Sequence, residues 1–509
     1  MRPIGYCSKI VLWALGLLLL SSTITLARDL TLNQALDMAL NKTSSGEMIR
    51  GRLEVARMNY HAKRINFYVP EISINGNLPT YAEDKSYRPY TNPYDKELFE
   101  TQNLDFTSNI RLRQSLVTGG VLTATANLLA QDNRYPDTRF SKEFGYFVDE
   151  TSKRGFLDLS LQQPLLRPSQ ARYDLHNRRD DLTIAEMSLR EEAAALKREV
   201  ADAYLTMLRY SVQQQMHDAL YESARLQAEI DSAKLADGIL SEEDYLLSVS
   251  SRLDAELAKF EIEVQTEQQR GELASLLNVD PSETLKLSEP QPGEHVETAL
   301  TDRLLAAWQK SVPVRKAEYS YYKAERAADF SSAEHGLTGD LEASYSLGQQ
   351  NIERERFNSE LGETATTTDD VNTAGWQVSL VFSLPVWDGG AGRAEVEAAR
   401  FEAEQSRLEY ESAKQETRAE LVTLVNQIDV NFRRLQILVK QVELAQNKLA
   451  IAQDRYDNGE ISMITLLESK VFHLESKDKY LEELANYLTN RIDLEGKFPA
   501  DVLHADAGA

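Results

Sequence analysis

Residues 378–400, VSLVFSLPVWDGGAGRAEVEAAR, change periodicity partway along their length. Val378, Leu380, Phe382 and Leu384 alternate with Ser379, Val381 and Ser383, the period-two pattern of a strand with one apolar and one mostly polar face. Pro385 stops the ladder, Asp388-Gly389-Gly390 makes a turn, and from Ala391 the pattern is helical for roughly 65 residues. The same order occurs earlier: Leu157, Leu159 and Leu161 share one face, Pro164 follows, and then another helix of similar length. Pro164 and Pro385 stand 221 residues apart. At 1.5 Å per residue each helix would be roughly 100 Å long, more than an ordinary globular domain needs.

Arg2 and Lys9, the apolar run from Ile10 to Leu20, and Thr25-Leu26-Ala27 read as a secretory signal peptide over residues 1–27, too short to span a bilayer. The competing reading is a buried N-terminal helix. Cys7 precedes the apolar run, so the mature chain would carry no cysteine, and disulfide or thiol chemistry is not expected. Loss of Arg2 and Lys9 takes the formal net charge from −24 to −26. That acidity argues against nucleic acid and against an anionic membrane surface as ligands. No later run of about 20 apolar residues exists, so any membrane insertion must be by strands.

Residues 31–67 read as helix with a break near Ser44-Ser45-Gly46, and period two begins at Pro70 with Ile72 and Ile74. Residues 79–105, rich in Tyr, Pro, Asn and Asp, read as a surface loop, and 131–154 and 350–373 as polar loops. Between them lies a hairpin at 109–129, with Gly119-Gly120 at its turn. Arg111 and Arg113 in it must face water.

The long helices carry heptads: Leu189, Ala193, Leu196, Val200, Ala203, Met207 and Tyr210 in the first, and Leu421 through Tyr456 in the second. They break at Gly238 and Gly459, again 221 residues apart, and each is followed by a returning helix. The division expected is a first repeat over 28–290 and a second over 291–498. The first holds strands at about 70–78 and 156–164, the extra hairpin and a helical hairpin at 170–278. The second holds strands at about 340–348 and 376–385 and a helical hairpin at 391–495. A short tail, 499–509, closes the chain.

An open sheet cannot sit in lipid, because its edge N–H and C=O groups would be unpaired in hydrocarbon. Four or six strands are fewer than the smallest barrel needs, so membrane strands would require two or more copies of the chain. The alternative is a β-sandwich capping a periplasmic coiled coil.

The order of helix, strand hairpin, long helix, glycine turn and returning helix, present twice, resembles the TolC-like outer-membrane efflux proteins. SLVFSLPVWDGGAGRAEVEAA, its counterpart LSLQQPLLRPSQAR, and the paired turns RYDNGEISMITLLES and KLADGILSEEDYLLS carry the resemblance. It implies an α+β membrane channel: a homotrimer whose β-strands share a transmembrane β-barrel in the cell outer membrane, continued by coiled-coil hairpins as a periplasmic tunnel. It implies that Gly238, Ile239, Leu240, Gly459, Glu460 and Ile461 form tips that dock a periplasmic membrane-fusion adaptor, itself linked to an inner-membrane pump.

By the same resemblance Glu468 matches an acidic constriction residue, while Thr465 stands where another acid is usual. Asp244 and Tyr456 match members of a closed-state link in which Ile461 replaces a basic partner. Pro164, Pro385, Asp388, Gly389 and Gly390 mark the seam from barrel to tunnel.

The expected function is passive exit for substrates in a tripartite efflux or export system. The rivals are the duct of a type I protein secretion system and a non-conducting periplasmic coiled-coil scaffold. The seven histidines occur singly, no HExxH or Gly-rich phosphate loop is present, and no enzyme, cofactor or metal site is expected.

Overall fold

The computed structural model describes residues 28–89, 96–137, 146–166, 168–280, 285–292, 304–358 and 362–498. The segments expected as a signal peptide and a C-terminal tail, and the start of the helix read from residue 296, lie outside the described residues. In chain order the elements are β1 (Arg28–Leu30), α1 (Leu32–Lys42), α2 (Ser44–Tyr68), β2 (Glu71–Gly76), β3 (Thr80–Pro89), β4 (Lys96–Ser115), β5 (Val121–Pro136) and β6 (Phe147–Pro164). Next come α3 (Gln170–Ala236), α4 (Glu242–Leu277), β7 (Leu285–Leu287), α5 (Val312–Glu334), β8 (Thr338–Asn358), β9 (Glu363–Ser383), α6 (Ala391–Asp457) and α7 (Met463–Lys497).

The chain divides into two compact units, and each draws on both halves of the sequence. The first comprises Met1–Arg52, Glu186–Arg315 and Ser412–Ala509. Heptad residues of both long helices, including Leu196, Val200 and Ala203 with Leu421, Leu424, Ile428 and Leu435, share one hydrophobic cluster there with Leu481, Leu484 and Tyr487 of α7. Beside that core β1 pairs with β7 in parallel, Leu30 against Leu287. Tyr204, fully buried, ties the pair to α3: its hydroxyl lies 2.6 Å from the Leu30 carbonyl oxygen and 2.7 Å from that of Ser288. Burial pushes this phenol up to about 12.

Local chemistry sets the helix ends. Thr31 and Gln34 form a reciprocal capping box at the start of α1. The break in the first helical stretch falls at Thr43, whose hydroxyl donates to the Ala39 carbonyl at 2.5 Å. Asn278 ends α4 in the left-handed conformation, φ 53°.

The second unit comprises Leu53–Ala185 and Lys316–Glu411. Its centre is a seven-stranded antiparallel sheet in the order β2-β4-β5-β6-β8-β9, with β3 also on β4. β2 pairs with residues 108–113 of β4 and β3 with residues 96–105, so the two occupy one lane and the sheet has six lanes. The 109–129 hairpin lies inside this sheet, between β2 and β6.

Three loop readings are corrected. Residues 80–89 and 96–105 are strand, β5 runs on to Pro136 and β6 begins at Phe147, and β8 and β9 extend to Asn358 and from Glu363. These segments are mostly polar, with apolar residues too sparse to alternate, yet a backbone ladder does not require apolar side chains. Polar cross-strand contacts support it instead. Arg354 on β8 bonds Glu150 on β6 at 2.7 Å and Asp369 on β9 at 2.6 Å.

Candidate functional site

Register partners on neighbouring strands share a sheet face, so the pairing sorts side chains into rows. One row reads Ile74, Ile110, Ala126, Leu157, Leu347, Ala374 across all six lanes. Two residues along each strand, the next on that face reads Ile72, Leu112, Ala124, Leu159, Tyr345, Trp376. The row between them, on the opposite face, reads Ser73, Arg111, Thr125, Asp158, Ser346, Gly375. Apolar residues continue along β9 as Val378, Leu380 and Phe382. From Ala374 to Phe382 the band covers about 27 Å of strand.

The apolar face is bare: Ile74 is 73% and Trp376 76% exposed. Arg111 and Arg113 both lie on the polar face, opposite Ser73 and Glu71. β2 with β3 at one end, and β9 at the other, each pair with a strand on one side only among the described residues.

At the seam, Pro164 closes β6 opposite Asp340. With Glu71, Arg113, Lys63, Asp174 and Glu334 it lines a cavity of about 450 Å³. Lys63 and Asp174 pair there at 2.9 Å. β9 ends two residues before Pro385. Gly389 and Gly390 take φ of +71° and +92°, which a side chain would oppose.

Asp388 then caps α6, accepting from the backbone N–H of Gly392 at 2.7 Å and of Gly390 at 2.8 Å. Those bonds hold its carboxyl below the usual carboxylate range. His335, just past α5, places Nδ1 3.0 Å from the Ser331 carbonyl oxygen and Nε2 2.9 Å from Glu395. Both neighbours only accept, which favours the doubly protonated ring, and chiefly the Ser331 bond raises its pKa.

The two glycine turns belong to the first unit. Gly238 has φ +69° and its N–H donates to Leu235, while Ile239 N–H reaches Lys234. Gly459 has φ +73°, with Gly459 N–H to Tyr456 and Glu460 N–H to Arg455. Both are Schellman closures. Three residues on, Ser241 caps α4 by accepting from Asp244 N–H, and Ser462 caps α7 by accepting from Thr465 N–H.

Asp244 and Thr465 are therefore tied into the caps. The Ser241 hydroxyl donates to the Asp244 carboxylate at 2.6 Å, and the Ser462 and Thr465 hydroxyls are 3.0 Å apart. Ile239 is 74% exposed, Leu240 and Ile461 are half-buried, and Glu460 pairs with Arg455 at 3.1 Å. Tyr456 and Glu468 are exposed.

Two further apolar surfaces are visible. Leu246, Leu253, Leu257, Phe260 and Val264 are exposed along α4, and Val430, Ile437, Leu444 and Ile451 recur every seventh residue along α6. The coiled-coil spacing of each is present in the sequence, but only the fold separates it from the buried stripe of the same helix. Among the described residues no helix is long and apolar enough to cross a membrane, and no group of three or more His, Cys, Asp and Glu could hold a metal.

Residues 307–496 match the family described as outer membrane efflux protein. A stretch of 224 residues is 23% identical to the outer membrane protein TolC of Escherichia coli (strain K12), covering 44% of this chain and 43% of that relative. Among solved structures, the outer membrane protein VceC of Vibrio cholerae superposes with a TM-score of 0.56 at 15% identity, over 92% of this chain and 96% of its own. The CmeC outer membrane channel of Campylobacter jejuni does so with a TM-score of 0.54 at 14% identity, over 92% of this chain and 86% of its own. The resemblance carried by the seam and turn motifs thus extends to the fold.

Proposed function

We propose, from the match of residues 307–496 to the outer membrane efflux protein family, that this chain is the channel component of a tripartite efflux or export system in the cell outer membrane. It gives passive exit to substrates delivered by an inner-membrane pump through a periplasmic adaptor. The observation that carries this reading is the six-lane sheet with one bare apolar face, one polar face and two open edges. In lipid those edges must be paired, and six lanes are too few to close on themselves. A homotrimer closes them by joining the β9 edge of one copy to the β2 edge of the next.

In this barrel the 109–129 hairpin contributes two of the six lanes of each copy and widens the pore. The apolar rows face lipid, and the polar rows, with Arg111 and Arg113, face water. The bare stripes on α4 and α6 meet neighbouring copies to complete a helical tunnel.

The halves 28–290 and 291–498 act as two repeats of one plan, a reading supported by the identical closures at Gly238 and Gly459. Their turns are the docking tips, with Ile239, Leu240 and Ile461 as apolar contacts and Glu460 beside them. Glu468, Tyr456, Asp244 and Thr465 lie where the tunnel narrows. Pro164, Pro385 and Asp388-Gly389-Gly390 form the seam at the membrane's inner edge. The chain performs no catalysis.

Planar-bilayer recording on the purified trimer tests the reading. Discrete conductance is expected, and a trimer that never conducts, even with its tips mutated, identifies a scaffold instead. Cross-linking from Ile239 and Ile461 then separates an efflux adaptor from the partner of a protein-secretion duct.

A further inference from the structure

Two adjoining hollows open on α3 within the sheet-bearing unit. One, of about 360 Å³, is lined by Tyr60, Arg64, Tyr68, Leu175, His176 and Arg179. The other, of about 290 Å³, shares His176 and Arg179 and adds Asp180, Thr183, Tyr319 and Arg326. In a chain with 80 acidic and 56 basic residues, the first hollow contains no carboxylate. The only acid of the second, Asp180, is held by Arg326, which also donates to Asn177 at 3.2 Å. Arg64 and Arg179 have no ion pair among the described residues, and both are exposed. Two unneutralised guanidinium groups and an imidazole around one concavity make a site for an oxyanion, which arginine binds through paired N–H donors.

The side of α3 on which this cluster lies narrows the source. The cavity at the seam touches the polar sheet face through Glu71 and Arg113, and touches α3 through Gln170, Ala171 and Asp174. At 100° per residue, His176, Arg179, Asp180 and Thr183 point roughly half a turn away from those three. The cationic cluster therefore lies on the side of the bare apolar rows.

It also lies at one level. Arg64 is seven residues before β2, and His176 and Arg179 are six and nine residues into α3. Arg64 thus lies about 6 Å of helix from the sheet-side end of α2, and His176 and Arg179 about 9–14 Å from that of α3. Where the apolar band sits in hydrocarbon, this is headgroup depth, and Tyr60 and Tyr68 are suited to such an interface.

We propose that Arg64, His176 and Arg179 bind a phosphate group on the outer surface of the protein just below the sheet, with Tyr60 and Tyr68 flanking it. An anionic phospholipid headgroup is the source that the geometry favours. That source rests on the proposed barrel, whereas the phosphate site itself does not.

The test uses the full chain in a zwitterionic detergent. Calorimetry and native mass spectrometry measure binding of short-chain phosphatidylglycerol and, separately, of inorganic phosphate. The variants are Arg64→Gln/Arg179→Gln and the charge-conserving Arg64→Lys/Arg179→Lys, with circular dichroism as the check on folding.

The expected result is phosphatidylglycerol binding weakened at least about tenfold in the Gln pair and largely kept in the Lys pair. Phosphate binding with the same loss, but no lipid binding, supports the site and assigns it a soluble ligand. No binding of either probe, or equal binding by the folded Gln pair, overturns the proposal. Conductance of the same preparation keeps the two questions apart: a conducting channel that binds neither probe loses the site and keeps its function.

Discussion

The ring of Phe156 on β6 occupies the space that a side chain at Gly348, its register partner on β8, would need: a methyl group there would come within 2.7 Å of the ring. It would also come within 2.5 Å of the Thr373 hydroxyl. Phe156 belongs to a row that otherwise reads Asn75, Asn109, Asn127, Gly348 and Thr373, on the polar face of the sheet. A large aromatic in that row is tolerated because its neighbour has no side chain. Gly348→Ala is expected to destabilise the sheet by about 1–3 kcal/mol, as overpacking does. The double variant with Phe156→Ala should recover most of the loss, measured as the melting temperature of the assembled protein.

The seam has two pH windows of opposite sign. His335 has a raised pKa, so its contribution is fully present below the ordinary imidazole value and is lost as pH rises through the raised one. Asp388 has a lowered pKa, so its contribution is present above the ordinary carboxylate value and is lost as pH falls through the depressed one. Melting curves across pH should show His335→Gln flattening chiefly the alkaline side, with a smaller loss on the acid side because its charge helps to lower the Asp388 pKa, and Asp388→Asn flattening chiefly the acid side. The opposite weighting in either variant would contradict the assignment.

At the turns, a methyl group added to Gly238 or Gly459 meets nothing within 4 Å, so only backbone strain opposes it. Gly238→Ala and Gly459→Ala should each cost about 1–2 kcal/mol, and by similar amounts because their φ values of +69° and +73° match. Limited proteolysis at the turns, read as a rate of cleavage, should rise in both.

Tyr204→Phe removes the one hydroxyl that reaches both the Leu30 and the Ser288 carbonyl oxygens. Ser288 N–H still donates to Leu30 at 3.1 Å, so the β1–β7 pair is weakened but not lost. A loss of about 1–2 kcal/mol in denaturant unfolding is expected. Hydrogen exchange should quicken first at Leu287 and Ser288.

Glu468 is exposed in the second turn of α7 and has no ion pair among the described residues. If it faces the narrow end of the tunnel, Glu468→Gln lowers cation over anion preference, and Thr465→Asp raises it. Reversal potentials in a salt gradient measure both. Unchanged selectivity in the two variants would remove these residues from the constriction.

How much of this was legible in the sequence differs from element to element. The change of period at Pro385, the heptads and the glycine turns were all readable, because periodicity, proline and glycine act within a few residues of themselves. The polar ends of the strands were not: Thr364 to Thr368 and Glu353 to Arg356 show no alternation, and they are strands because each completes the other's ladder, with β6 pairing on the far side of β8. Arg111 and Arg113 were known to need water, but only the register, which sets them opposite Ser73 and Glu71, gave them a face. Arg64, His176 and Arg179 sit on two helices separated by five strands in the chain, and no local pattern joins them. The sequence alone determined where the apolar parts of the strands, the long helices and the glycine turns occur, because those choices are made by neighbouring residues. The tertiary structure decided which rows are apolar, which edges stay open and which cations meet, because each depends on contacts between residues far apart in the chain.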